Sequence, residues 1–278
     1  MSKGSKPRPV SKDKFDKNYE MTKKILFIND IHAGHLGGLT HPDYMTSKPE
    51  WRRPEEAAWN MFQGFLKAHG PFYQVICVGD LIDGPGTKDK GRHLISTDMR
   101  DQCKMAEAVL KTIQVEDARQ RNGKNTFLFV RGTEYHTDRF CSFEDFIADA
   151  FDAPIQNHIY HIVDNCVIDV KHKASTAASS LRNVMDNAMQ WHELHGYPRP
   201  NVVVRGHIHQ FQRYEVNGST VITLPGAQLF SDYGQRNVDR MIDFGFCALH
   251  VEDGRFQGKL DVELAQLATC GQESITRG

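Results

Sequence analysis

The stretch Lys24-Ile-Leu-Phe-Ile-Asn-Asp30 carries four apolar residues in a row and then breaks into an amide and a carboxylate. Three other stretches repeat that plan: Gln74-Val-Ile-Cys-Val-Gly-Asp80, Thr126-Phe-Leu-Phe-Val-Arg-Gly132 and Asn201-Val-Val-Val-Arg-Gly-His207. Short unbroken apolar runs of this kind read as strands buried on both faces, with polar groups at their C-terminal ends. Between them, apolar residues recur at spacings of three and four. Ala58, Phe62, Phe65 and Leu66 precede the second run; Met99, Cys103, Ala106, Leu110 and Ile113 the third; Leu181, Met185, Ala188 and Trp191 the fourth. Each set forms one face of a helix. Alternating strands and helices predict an α/β architecture with a largely parallel sheet. A further strand, Cys166 to Lys171, ends at His172.

Beyond His209 the pattern changes to strands joined by turns. Arg213 to Val216 and Val221 to Leu224 flank an Asn217-Gly218 turn, and Phe246 to Val251 and Phe256 to Leu264 flank Glu252-Asp253-Gly254. Asn-Gly between apolar runs is a hairpin signal, so a second, more antiparallel sheet is expected against the first. The segments His35 to Pro54 and Asp83 to Ser96, rich in Gly, Pro and His, read as surface loops near the strand ends. The chain divides into a flexible basic tail over 1–22, one domain over 23–268 and a short tail over 269–278.

At 278 residues, 40% hydrophobic and 25% charged, the chain can bury a full core. Its 34 basic and 35 acidic residues leave a net charge of −1, so no global field draws it to nucleic acid or an anionic membrane. No apolar run approaches the roughly 20 residues of a spanning helix, and no membrane partner is expected. The first 24 residues hold eight Lys/Arg and three acids without an apolar segment, which reads as neither a signal nor a transit peptide. Six scattered cysteines without a CxxC pair favour reduced core thiols in a cytoplasmic protein. Histidine is in excess at 14 residues, a reason to look for metal ligands.

The strand ends carry Asp30 and His32, Asp80 and Asp83, Glu134 and His136, His172, and His207 and His209. In an open α/β sheet, the crevice beyond the carboxyl ends of the strands collects segments far apart in sequence. Carboxylates and imidazoles in this number can hold two divalent ions if one carboxylate bridges them. Such a pair activates a hydroxide and clamps both oxygens of an in-line displacement at phosphorus. Each element alone is weak: DxH arises by chance, His-x-His can be polar edge residues, and Gly-Asp often makes a turn. Order and placement together carry the reading.

These motifs resemble those of the calcineurin-like metallophosphoesterase superfamily. The matching residues are Asp30-Ile-His32, Gly79-Asp80-Leu-Ile-Asp83, a Gly132-Thr-Glu-Tyr-His136 variant, His172, and Gly206-His207-Ile-His209, over residues 25–210 in the family's order. The resemblance implies a four-layer α-β-β-α sandwich, two mixed sheets flanked by helices, and a dinuclear phosphoesterase site. Carried over by position, Asp30, His32 and His209 hold one metal, His172 and His207 the other, and Asp80 bridges them. The family has Gly-Asn-His-Asp/Glu after the third strand; here Glu134 is assigned the Asn role and His136 that of the catalytic His. Thr133, directly after the Gly, is the competing ligand, and Asn157-His158 is a decoy without the preceding Gly. Asp83 is read as an acceptor orienting a histidine. Mixed imidazole and carboxylate ligation suits two divalent ions, Mn first, then Fe, Zn, Ni or Co.

The function expected is hydrolysis of a phosphate ester, with a phosphodiester favoured because a chain without a cap domain leaves an open cleft. A nucleotide or nucleic acid is among the candidate substrates. A nuclease would show a basic, aromatic-lined groove around Arg52, Arg53, Lys88, Lys90 and Arg92, with Tyr44 and Trp51 placed to stack. His35, His41, His93 and the Pro225-Gly226-Ala227 turn also fall beside the expected site. The alternative from another class is a protein-binding module that keeps the fold and lacks ligands or the catalytic His; here nearly every position is filled. A homo-oligomer using Leu229 to Phe246 is a further expectation.

Overall fold

The computed structural model describes residues 22–86, 90–116, 126–137, 142–173, 181–229 and 242–265. Both tails (Thr22 apart), Lys88, Cys141, Cys270 and residues 230–241 of the proposed oligomer surface lie outside the described residues. The first sheet holds β1 (Lys23–Ile28), β2 (Gln74–Cys77), β3 (Phe127–Val130) and β4 (Ile155–Gln156) in parallel, with β10 (Phe244–Glu252) antiparallel to β1 and β11 (Arg255–Ala265) antiparallel to β10. The second holds β6 (Cys166–Lys171), β7 (Val202–Arg205) and β9 (Ser219–Thr223) in parallel, edged by antiparallel β5 (Ile159–Val163) and β8 (Gln212–Val216). Among the described residues the α-helices are α1 (Pro49–His69), α2 (Met99–Leu110), α3 (Glu134–Thr137), α4 (Phe143–Ala150) and α5 (Leu181–His195).

Side-chain alternation along the buried strands separates three cores. Leu26, Ile28, Val75 and Cys77 pack with Phe62 and Phe65 of α1, Ala106 of α2 and Ile147 of α4. From the other face, Ile25, Phe27, Ile76 and Val78 meet Ile168, Val170, Val202 and Val204 of the second sheet. Val203 and Val221 lie in the outer core with Val184, Met185 and Ala188 of α5. Three cores separate four layers, helix, sheet, sheet, helix, with the parallel strands β1, β2, β7 and β9 contributing to the cores on both of their faces. No helix among the described residues is long and apolar enough to cross a membrane. Cys77, Cys103, Cys166 and Cys247 are buried and free, and burial pushes the Cys103 and Cys247 thiols up to about 12.

The structure corrects several expectations. The turn-linked strands after His209 do not form one antiparallel sheet: β10 and β11 complete the first sheet and β9 runs parallel to β7. The segment read as a loop from His35 to Pro54 is buried through Thr40, with Leu36 and Leu39 in the interior, and α1 already begins at Pro49. Pro49 occupies the helix start, where a missing N–H costs nothing. Pro54 removes one hydrogen bond, which burial of Ala58, Phe62 and Phe65 outweighs. The sequence pattern also leaves α3, β4 and β5 unmarked, and a helix before Asn157 without a range, which is α4.

Candidate metal centre

All five expected motifs lie at C-terminal ends of parallel strands, and both sheets point those ends to the same place. The loops after β1 and β2 are tied in register: Asp30 N donates to Gly79 O at 3.2 Å, His32 N to Asp80 O at 3.0 Å and Ala33 N to Leu81 O at 2.9 Å. Gly79 has φ +84°, and a Cβ there would stand 2.7 Å from both Gly132 Cα and His172 Nδ1. A Cβ on Gly132 would stand 2.1 Å from Asp80 Oδ1. Only glycine lets three strand ends approach this closely. Asp30, His32, Asp80, His207 and His209 all adopt positive φ, between 48° and 72°. A non-glycine residue there is uncommon, and five of them at one place mark a site whose backbone is held against local preference.

Three groups of side chains each bring their ligand atoms within 4.8 Å of one another: Asp30 with His32 and His209, Asp80 with His172 and His207, and His32 with Asp83 and His136. In the first, Asp30 Oδ1 lies 3.2 Å from His209 Nε2 and 3.6 Å from His32 Nε2. In the second, Asp80 Oδ2 lies 3.1 Å from His172 Nε2 and 4.0 Å from His207 Nδ1. His136 joins them through Nε2, 4.0 Å from Asp80 Oδ2. Three imidazoles have Nδ1 engaged: His32 with Asp83 Oδ1 at 3.0 Å, His172 with Val78 O at 2.6 Å, and His136 with Asp83 O at 2.6 Å. Each partner is an acceptor, so Nδ1 carries a proton and Nε2 is the nitrogen aimed at the centre, where its lone pair becomes available once the ring is neutral, the arrangement a metal-binding histidine needs.

Charges follow from this packing. Burial pushes Asp30 up, but His209 and His32 outweigh it and hold the carboxyl well below the usual range. Asp80 is likewise lowered, burial being overcome by His172 and His207. Burial lowers His32, yet Asp30 and Asp83 raise it to about 10; burial lowers His172, yet Asp80 raises it to about 9. For Asp83, burial is overcome by His32 and His35, leaving it low, and burial with the charge of His32 puts His136 below its ordinary value. Asp30 Oδ1 and His172 Nε2 are buried without a well-directed hydrogen bond. Buried polar atoms are normally satisfied, so these two suit a cation that accepts their lone pairs.

The structure departs from the expected ligands after β3. Glu134 is exposed and belongs to none of the three groups, because α3 begins at this residue. Thr133, one step earlier, meets Asp80 instead: its N–H donates to Oδ1 at 2.6 Å and its hydroxyl lies 3.2 Å from the same oxygen. Asn157-His158 is elsewhere, with His158 on Asp169 at 3.0 Å. His35 lies near enough to lower Asp83, and its ring is 6.1 Å from that of His93. His41 packs edge-on against Trp59 instead. The Pro225-Gly226-Ala227 turn does reach the site, since a Cβ on Gly226 would stand 2.5 Å from His209 Nδ1. Arg52 is paired with Glu56 on the surface of α1 at 2.7 Å.

Three residues at the site escaped the sequence reading. Asn29 donates to Pro225 O at 3.1 Å, Gln102 brackets Gly84, and Glu144 accepts from Leu81 and Gly132. The last two had a signal. Gln102 is in phase with Met105, Ala106 and Val109, and Glu144 with Ile147 and Ala148, so each is a polar residue on the apolar face of its helix.

Among solved structures the chain is similar to vacuolar protein sorting 29 of Cryptosporidium parvum, at 13% identity and TM-score 0.44, covering 88% of this chain and 97% of that one. A novel archaeal phosphodiesterase aligns at 15% identity and TM-score 0.45, covering 87% and 99%. Vps29 of Entamoeba histolytica complexed with zinc aligns at 15% and 0.42, covering 87% and 98%. No family model matches the sequence, and no curated protein matches it. Four layers, mixed sheets with parallel centres, and a motif order from Asp30 to His209 that converges at their strand ends make up the two-sheet α-β-β-α architecture that the motif resemblance implies.

Proposed function

We propose that this protein is a dinuclear-metal-dependent phosphoesterase that hydrolyses a phosphodiester, a nucleotide or nucleic acid being among the candidate substrates. The observation that carries the reading is the pairing of two imidazole–carboxylate groups, Asp30/His32/His209 and Asp80/His172/His207, with a third histidine, His136, facing Asp80. In this reading Asp80 would serve both ions, and Thr133 holds its carboxylate in direction. Divalent ions held by these residues would supply Lewis acidity toward phosphoryl oxygens and would bring the pKa of a water toward about 7. His136, tethered through Nδ1, offers Nε2 to a phosphoryl oxygen or the departing alkoxide. Asp83 keeps His32 and His136 in orientation.

Mn is the ion to load first. The test is hydrolysis of bis-p-nitrophenyl phosphate beside p-nitrophenyl phosphate, using chelator-stripped protein reloaded with Mn²⁺ and Asp80→Asn as the blank. Metal-dependent diester cleavage that disappears in the blank is expected. Failure to cleave either ester with Mn, Fe, Zn, Ni or Co overturns the reading and favours a protein-binding module.

A further inference from the structure

Glu144 is a carboxylate buried completely on α4, and its two oxygens reach the main chain of two different strand-end loops. Oε1 accepts from Leu81 N at 2.9 Å and Oε2 accepts from Gly132 N at 2.7 Å. Leu81 directly follows Asp80, and Gly132 directly precedes Thr133, whose N–H donates to the Asp80 carboxylate. One side chain therefore holds both the peptide that leaves Asp80 and the peptide next to the group that aims Asp80. Burying a carboxylate costs free energy that two hydrogen bonds return only in part, whereas an apolar residue in phase with Ile147 and Ala148 would carry no such cost.

We propose that Glu144 is a positioning residue for the metal centre: by clamping the loops after β2 and β3 together it fixes the direction of the Asp80 carboxylate and so sets the affinity of the site for divalent ions. The inference rests on the metal-binding part of the function proposed above and not on the reaction. A carboxylate in this role needs both oxygens, because two N–H donors converge on it. Glutamine offers one acceptor and turns an NH₂ toward the other donor. Aspartate is one methylene too short to span both.

The test compares Mn²⁺ affinity by calorimetry, and amide hydrogen exchange at Leu81 and Gly132 in metal-free protein, for wild type, Glu144→Gln, Glu144→Asp and Ile147→Val. Ile147 is buried on the same helix, so its variant reports general loosening of α4 with the carboxylate intact. Both Glu144 variants should bind Mn²⁺ roughly 10–100-fold more weakly, as losses of partners behind metal ligands generally do. At least one of the two amides should exchange faster, while Ile147→Val keeps wild-type affinity. If Glu144→Gln fails to fold, Glu144→Asp carries the same comparison. The inference is overturned by unchanged affinity in the Glu144 variants, by an equal loss in Ile147→Val, or by a wild type that binds no Mn²⁺. Weaker Mn²⁺ binding in the Glu144 variants together with a wild type that binds Mn²⁺ but cleaves no diester supports the role of Glu144 and removes the phosphoesterase reading instead.

Discussion

His136 donates through Nδ1 to the main-chain carbonyl of Asp83 at 2.6 Å, which leaves Nε2 facing Asp80 Oδ2 at 4.0 Å. The tether is a backbone atom, so it survives changes to the Asp83 side chain. It also sets the tautomer, because a carbonyl can only accept. Removing the ring while keeping the ligands separates turnover from binding. His136→Ala should lower diester turnover by about 10²–10⁴-fold, the usual contribution of a positioned proton-transfer group. Metal content after reloading, measured by elemental analysis, should equal that of wild type. Turnover within about threefold of wild type would remove His136 from the reaction.

Asp83→Asn makes the complementary cut. The main-chain carbonyl still holds His136, but the carboxylate that faces His32 Nδ1 at 3.0 Å is replaced by an uncharged amide. His32 then loses one of the three carboxylates, Asp30, Asp83 and Asp80, that raise it to about 10. A less basic His32 is a poorer metal ligand, and its ring can rotate. Mn²⁺ affinity should fall by roughly 10-fold or more, with kcat at saturating metal reduced far less. Equal loss in both would mean that Asp83 acts on the reaction through His136 as well.

The parts of this centre that could be read from the sequence share one property. Asp30-Ile-His32, Gly79-Asp80, His172 and His207-Ile-His209 each stand where an apolar run stops abruptly, and an abrupt stop fixes both the strand end and the residue there. Glu134 and Thr133 are adjacent, so their assignment depended on which residue begins α3, a helix of four residues with no periodicity to reveal it. The buried start of the His35 to Pro54 segment was hidden for another reason. Its Gly and Pro content suits an exposed loop, yet Leu36 and Leu39 fold back into the core, with Leu39 N bonded to Ile31 O at 3.0 Å. Glu144 was missed because the helix before Asn157 carried no range, although a charged residue on its apolar face was the available sign.

Gln102 tests the other clamp. Its Oε1 accepts from Gly84 N at 2.9 Å and its Nε2 donates to Gly84 O and Ser96 O at 2.8 Å each, all with the side chain fully buried. Gly84 follows Asp83, whose carbonyl holds His136. Gln102→Leu leaves these peptide groups without their partner and should cost about 1–3 kcal/mol in urea unfolding. Turnover should fall by more than the loss of folded protein accounts for, about tenfold at a temperature where the variant stays folded, because a displaced Asp83 carbonyl misdirects His136. Normal turnover in the folded variant would confine Gln102 to stability.

In the proposed centre protons and metal would compete for the same imidazoles. In metal-free protein His32 is raised from 6.5 to about 10 and His172 from 6.5 to about 9, carboxylates overcoming burial in both. A raised folded-state value stabilises the fold fully below pH 6.5, and that contribution drains away as pH climbs through 9 and 10. Asp30 and Asp80, held low, act in the opposite sense: their contribution is present above about 3.8 and lost as pH falls. Without metal these groups therefore favour the fold most between those limits, and less at pH 8 or 9. A cation needs both imidazoles neutral, so its binding strengthens over the range where the metal-free fold weakens. The gain in melting temperature on adding Mn²⁺ should grow steadily from pH 6 to pH 9. Calorimetry in buffers of different ionisation enthalpy at pH 7.5 should show about two protons released when the site fills, one each from His32 and His172. Uptake or no release, with a gain independent of pH, would mean that these two histidines are not the ligands.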